Sequence, residues 1–287
     1  MCYMAQIKSI PAAFEDGFII PEIGPWAEEK YRLIALYDEL FSKGMKDKWG
    51  KRVYIDLYSG AGFGRVKGTG ALLMGSPLIA LNVEFSFDRY IFCERDPDLL
   101  DALRARVKRM SPSADVVFLG GSCDDCVEEI LRAVPAASTF STVLSLCLVD
   151  PFDFGLKFET LNRLSVVYID FLVLLAAQMD ANRNYDHYIV RGNTKIDEAL
   201  GNSDWRERWE KSGLLRSRFP QFLAEEFSAS MTRIGFLPRK AHDMKLVKTY
   251  ENNMALYYLA LFSKKDTGYK FWKEVMKYAT DQQSLWD

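Results

Sequence analysis

Four stretches of the chain place acidic or hydroxyl side chains where a run of β-forming residues stops, the position in which an open parallel sheet offers groups to a ligand. The first is Asp56-Leu57-Tyr58-Ser59-Gly60-Ala61-Gly62-Phe63-Gly64, after Val53-Tyr54-Ile55. Its glycines let backbone approach a bound molecule without side-chain obstruction. The second is Glu94 after Tyr90-Ile91-Phe92-Cys93, where a carboxylate can accept two hydrogen bonds from ribose hydroxyls. The third, Gly121-Ser122-Cys123-Asp124, offers a hydroxyl and a carboxylate to an adenine edge, although Asp124 is equally suited to cap a helix. The fourth, Asp150-Pro151-Phe152, joins a carboxylate that can accept from a substrate amine to a ring that can stack on a planar group, with proline stiffening the turn.

The spacing of the first loop argues against a dinucleotide. A Gly-x-Gly-x-x-Gly fingerprint sets a diphosphate on a helix N-terminus directly after the glycines. Here Gly60, Gly62 and Gly64 are two apart, and the next helix signal is Ser76-Pro77 before Leu78-Ile79-Ala80-Leu81. The loop suits a ligand without a diphosphate, held in part by Asp56; the plainer alternative is a tight turn with no ligand. Cys123-Asp124-Asp125-Cys126 has dithiol spacing at a strand-to-helix junction, but its two aspartates oppose a lowered thiol pKa, and no second cysteine pair or nearby histidine completes a metal set. No metal is expected.

The elements that must hold these groups alternate. A leading helix carries Trp26, Leu33, Ile34, Tyr37, Leu40 and Phe41 at helical spacing, with Pro25 before it and Gly44 where it can end. Strands follow at 53–57, 90–94, 116–119, 142–149 and 166–175, separated by helical segments that include Asp96-Pro97 through Arg109 and 127–134. This pattern specifies an α/β fold, a doubly wound, mostly parallel Rossmann-like sheet. The expected division is an N-terminal helical segment at 1–50, the sheet core at 51–180, a helical cap or insertion at 181–235, and C-terminal strands and a helix at 236–287 that complete the core. Leu246-Val247 and Leu256 to Phe262 would form a late hairpin.

Composition bounds the rest. Of 287 residues 49% are apolar, enough for a continuous core, and 37 Lys+Arg against 39 Asp+Glu leave a net −2, too little to hold a polyanion by a whole-molecule field. Nucleic-acid binding must then be local, and residues 181–250 carry 13 Lys+Arg against 9 Asp+Glu, a difference of +4. Trp205, Trp209 and Phe219 interleave with those charges, as in a stacking and phosphate-tracking surface; the alternative is helix core, with Asp204 and Arg208 as a helix-surface pair. Apolar runs fall short of the ~20 residues that span a bilayer, so no membrane partner is expected. The start of the sequence lacks a basic leader, and five cysteines suit reduced thiols; both favour the cytoplasm.

The order of acidic Gly-rich loop, acidic second strand end, polar third tip and fourth-strand motif resembles that of class I S-adenosylmethionine-dependent methyltransferases. More closely, Asp56 to Gly62, Gly75-Ser76-Pro77-Leu78-Ile79-Ala80-Leu81, Phe92-Cys93-Glu94 and Val149-Asp150-Pro151-Phe152 look like the three-Cys-motif partner proteins, TcmP. So do Asp197-Glu198-Ala199-Leu200-Gly201 with Trp205, and Leu256-Tyr257-Tyr258-Leu259 with Phe262-Ser263-Lys264, so that the likeness covers nearly the whole chain. The chain departs from the pattern at Ser122, where many such enzymes carry an acid, and in the spacing of Asp153-Phe154-Gly155. The resemblance implies S-adenosylmethionine as cofactor, contacted by Asp56, Tyr58, Ser59, Gly60, Gly62, Glu94, Ser122, Cys123 and Asp124, with Asp150, Pro151 and Phe152 catalytic. It also implies a three-Cys-motif protein as partner. Asp-Pro-Phe is similar in part to the Asn/Asp-Pro-Pro-aromatic signature of enzymes that methylate exocyclic base amines, which makes a nucleic-acid base the expected acceptor. The alternative is a Rossmann-like binding protein that acts with another protein and transfers nothing.

Overall fold

The computed structural model describes residues 15–139, 141–248 and 254–281. Cys2 and the first fourteen positions of the expected N-terminal segment lie outside them. The strands of a seven-stranded mixed sheet divide between two compact units: residues 15–148 with 270–281, and residues 149–269.

The first unit begins with strand β1 (Glu22–Ile23) and helix α1 (Ala27–Met45). Helix α1 buries Leu33, Ile34, Tyr37 and Phe41 at three- and four-residue steps, as its periodicity requires. It does not stop at Gly44. A Cβ there would lie 2.2 Å from the Phe271 ring, so this glycine makes room for a neighbour instead of ending the helix. Strand β2 (Lys51–Asp56) leads to β3 (Phe63–Val66) and β4 (Leu72–Met74), then α2 (Ser76–Leu81), β5 (Arg89–Glu94), α3 (Pro97–Met110), β6 (Val116–Gly120), α4 (Val127–Ala133) and β7 (Val143–Val149).

Order β6-β5-β2-β7 is parallel throughout, with Ile55 beside Ile91 on one side and Cys147 on the other. Every residue of β7 is buried, which explains its near-continuous apolar run. Because parallel crossovers are right-handed, the chain leaves β2 toward β5 and β6 over one face and returns to β7 over the other. Order therefore reverses beside β2, the place where such sheets bind ligands.

Residues 63–74, which read as a glycine-rich delay, form the β3–β4 hairpin, and β1 adds to it in parallel. Helix α2 starts at Ser76 as the sequence indicates, but its N-cap is Gly75 and no side chain caps it. Asp96 caps α3 by accepting from the Asp98 and Leu99 amides. Beneath the sheet Asp38 is buried, and burial itself, then the Asp56 charge, pushes its carboxyl well above the usual range.

The second unit contains α5 (Phe158–Leu164), β8 (Ile169–Leu175), a π-helical turn at Ala177–Asn182, α6 (Tyr185–Tyr188), α7 (Lys195–Leu200), α8 (Trp205–Ser212), α9 (Phe219–Arg233), β9 (Lys245–Lys248) and β10 (Ala255–Phe262). Strand β10 is antiparallel to both its neighbours here, in the order β8-β10-β9. The segment between β8 and β9 is helical, as expected of the insertion. Helix α10 (Asp266–Asp281) starts in this unit, and from residue 270 it counts with the first, where Trp272 meets Tyr37 edge-on at 6.1 Å. Parallel strands in the order β6-β5-β2-β7, joined by helices, make this a Rossmann-like α/β arrangement. Among the described residues no helix is long and apolar enough to cross a membrane.

Asp170 on β8 is 4% exposed, and burial lifts its carboxyl to about 7 against a bond to Ser263 and the Lys264 charge. Since the native carboxyl holds its proton up to about 7 and the unfolded one only up to about 4, the native state binds more protons between those values, and stability must fall as pH rises through that window. Asp170→Asn is expected to remove about 1.4 kcal/mol of loss per pH unit there, which urea unfolding of both proteins at pH 5, 6 and 7 will measure.

Candidate functional site

At the carboxyl edge of the first unit's sheet, β2, β5 and β6 end in step, and three turns knit together. Asp56 is wholly buried, and its Oδ1 accepts the Tyr58 amide at 3.1 Å, which bends the chain directly after the strand. Ser59 donates twice to the Cys93 carbonyl, from its amide at 3.0 Å and its hydroxyl at 3.1 Å. The Gly60 amide donates to Glu94 Oε2 at 2.9 Å, while Oε1 of the same carboxylate accepts the Asp96 amide at 2.9 Å. Gly60 (φ +61°) and Gly62 (φ +84°) lie in the left-handed region, and a Cβ on Gly62 would come 3.0 Å from Leu103, so both positions require glycine.

Two further contacts hold this loop. Gly62 accepts from the Gly75 amide at 2.8 Å, which closes the hairpin back on the glycines. Arg106, 2% exposed on α3, donates to the Ala61 carbonyl at 2.6 Å and pairs with both oxygens of Asp16 at 2.7 and 2.9 Å. The Arg106 bond holds the Asp16 carboxyl below its usual range despite burial.

The third turn joins through Cys123, whose Sγ donates to the Tyr58 hydroxyl at 3.3 Å. Ser122 Oγ accepts the Asp124 amide at 3.2 Å, and Asp124 is not a helix cap, because Cys126 precedes α4. Burial pushes the Cys123 thiol up to about 11 and raises Cys93 and Cys126 too, which leaves the Cys123–Cys126 spacing without the low-pKa thiol that redox chemistry needs. All four described cysteines are free and buried. No group of three or more His, Cys, Asp or Glu able to hold a metal ion occurs among the described residues.

The second unit carries Asp150, Pro151 and Phe152. Asp150 and Pro151 are half-buried, and Phe152 is 100% exposed. The residues after them are fixed. The buried Phe154 donates its amide to Asp180 Oδ2 at 2.9 Å, and Asp153 pairs with Lys195 at 2.7 Å. Asp180 also accepts from Asn184 at 2.7 Å and Tyr188 at 2.9 Å; burial opposes its charge, but these bonds and Lys195 hold the carboxyl below the usual range. Lys195 is raised above an ordinary lysine, since Asp153, Tyr188 and Asp180 outweigh its burial. Pro151, Phe154, Leu156, Ala176 and Phe227 line a small apolar pocket beside this turn. Asp180 and Lys195 are absent from the residues read as functional, and no local sequence signal marks either one.

Of the two readings of the cap's aromatics, helix core is the one the structure shows. Trp205, Trp209 and Phe219 are core, at 0%, 5% and 0% exposure, with Phe219 packed 5.0 Å from Trp209 and 4.8 Å from Tyr185, so they form no stacking surface. Arg208 pairs with Glu226 at 2.5 Å and not along the helix with Asp204. Arg206 is buried, bonded to Asp197 and the Asn193 carbonyl, and Lys211 and Arg216 pair with Glu207 and Asp186.

No family model matches the chain, and neither does any curated protein. Among solved structures it is similar to Trm1 from Pyrococcus horikoshii in complex with S-adenosyl-L-methionine, at 9% identity over 88% of this chain and 61% of that one, TM-score 0.45. It is also similar to P. horikoshii TYW2 in complex with MeSAdo, at 10% identity over 88% and 70%, TM-score 0.41, and to protein LPL1258 from Legionella pneumophila, at 15% over 60% and 74%, TM-score 0.41. Likeness at this level assigns neither family nor activity.

Arg106→Ala leaves Asp16 without its buried partner and frees the Ala61 carbonyl. It is expected to cost about 3 kcal/mol in urea unfolding, and a loss under 1 kcal/mol would show that the pair does not hold the loop.

Proposed function

We propose that the chain is a methyltransferase that uses S-adenosylmethionine and transfers its methyl group to an exocyclic amine of a nucleic-acid base. The observation that carries this reading is the Glu94 carboxylate, fixed by the Gly60 and Asp96 amides at the strand tips. A carboxylate has about four acceptor positions; backbone takes two, and the remaining pair suits a ribose diol. Strands β3 and β4 intervene between the glycines and α2, so the loop lacks the direct passage from glycines to helix of a dinucleotide fingerprint. Gly60, with open space where a Cβ would stand, leaves backbone uncovered for the methionine part, and half-buried Ser122 and Asp124 supply polar groups for an adenine edge.

Bound S-adenosylmethionine supplies an activated methyl group on a sulfonium. The chain's own part is to orient the acceptor. The Asp150 carboxylate would accept a hydrogen bond from the amine, aiming its lone pair, and the Phe152 ring would stack on the base. The Phe152 ring, fully exposed, suits a flipped base. A three-Cys-motif protein is the partner we propose from the sequence resemblance.

Calorimetry with S-adenosylmethionine and its demethylated product tests the cofactor. Glu94→Ala removes a charged acceptor worth about 1.5–3 kcal/mol, so affinity is expected to fall roughly 10- to 100-fold; unchanged affinity would misplace the ribose. Labelled methyl donor with fractionated cell extract tests the acceptor. Label in RNA or DNA is expected, while cofactor binding with no label in any fraction means a binding protein. Phe152→Ala is expected to raise KM for the labelled nucleic acid at least tenfold and to leave cofactor affinity within twofold.

A further inference from the structure

Strand β8 does not pass into an α-helix. After Ala176 the chain forms the π-helical turn Ala177–Asn182, a widened coil with poorer internal packing that persists chiefly where it places a side chain usefully. The side chain it places is Asp180, only 8% exposed. Oδ2 of Asp180 accepts the Phe154 amide at 2.9 Å and lies 3.4 Å from Lys195 Nζ; Oδ1 accepts from Asn184 and Tyr188 at 2.7 and 2.9 Å. Lys195, beside it, reaches back to Asp153 at 2.7 Å.

These bonds converge on the two residues that follow Phe152. Asp153 is held by an ion pair and Phe154 by its backbone amide, yet Phe152 itself touches nothing that removes it from solvent. A phenyl ring with free backbone on both sides would sample many orientations, and ordering it on binding would cost affinity. Clamping the next two residues removes that freedom beforehand, the sense in which a turn is preorganised for its ligand. Neither Asp180 nor Lys195 needs to reach the acceptor for this effect.

We propose that Asp180 and Lys195 are positioning residues for the turn at 150–152, fixing where the Asp150 carboxylate and the Phe152 ring stand. The assignment rests on the methyl-transfer reading above and adds to it two residues that act through the backbone.

The test uses the full chain and the variants Asp180→Ala, Lys195→Ala and Lys195→Arg, with three readouts: hydrogen exchange of the Phe154 amide, calorimetric affinity for S-adenosylmethionine, and labelled methyl transfer to total RNA and to genomic DNA. In Asp180→Ala, Phe154 exchange is expected to quicken at least tenfold while the amides of β8 and β10 keep their protection. In Lys195→Ala, kcat is expected to fall at least tenfold with cofactor affinity within twofold, and Lys195→Arg, which keeps a cation in reach of both carboxylates, restores most of the loss. A purely structural role would lower thermal stability without that split between kcat and cofactor affinity. If Asp180→Ala does not fold, Lys195→Ala, altered at a partly exposed side chain, decides alone. Turnover within twofold of wild type in Lys195→Ala overturns the assignment and leaves methyl transfer intact. A wild-type protein that labels neither nucleic acid overturns both.

Discussion

Two backbone amides from different turns meet on one carboxylate. Glu94 receives Gly60 from the loop after β2 and Asp96 from the cap of α3, so a single side chain sets the separation of two strand tips. The loop it holds contains two glycines at positive φ and has little conformational preference of its own. Its shape comes from outside. Ser59 is tied to β5, Ala61 to Arg106, Gly62 to Gly75 and Tyr58 to Cys123, with Asp56 turning the chain from below. Fixing these groups in advance spends folding free energy, so that less ordering is left to binding.

In the second unit the same logic uses side chains that reach back along the chain. The turn at 150–154 is secured from Asp180 and Lys195, and Arg206 gathers the carbonyls of Tyr188, Val190 and Asn193 around itself. Desolvating a guanidinium is costly unless its donors are filled, and here carbonyls and Asp197 fill them. Cations that look available in the sequence thus hold loops together.

What the sequence reveals follows from the range of the interactions involved. Strands β2, β5 and β7 are legible because burial on both faces demands apolar β-forming runs, and Asp56, Glu94 and Asp150 are legible because each ends such a run. Asp96 before Pro97 marks its helix for an equally local reason. The glycine-rich stretch 64–75 hides a hairpin, since its strands are only three and four residues long and need β1 as a neighbour. Gly44 has the composition of a helix stop but serves the Phe271 ring, a partner far along the chain. Trp205 and Trp209 carry identical letters whether they stack on a base or on Phe219; only the packing distinguishes the two. The π-turn at Asp180 has no residue signature, and the Phe154 amide bonded to it lies 26 residues earlier.

The position of β10 bears on how the molecule comes into being. Within its unit β10 separates β8 from β9, and each pairs there only with it. A ribosome releases β8 first, then four helices and β9, and only afterwards the strand that joins them. Until Phe262 has emerged, the β8 edge that β10 will cover remains open, with its amides and carbonyls available to any other extended segment.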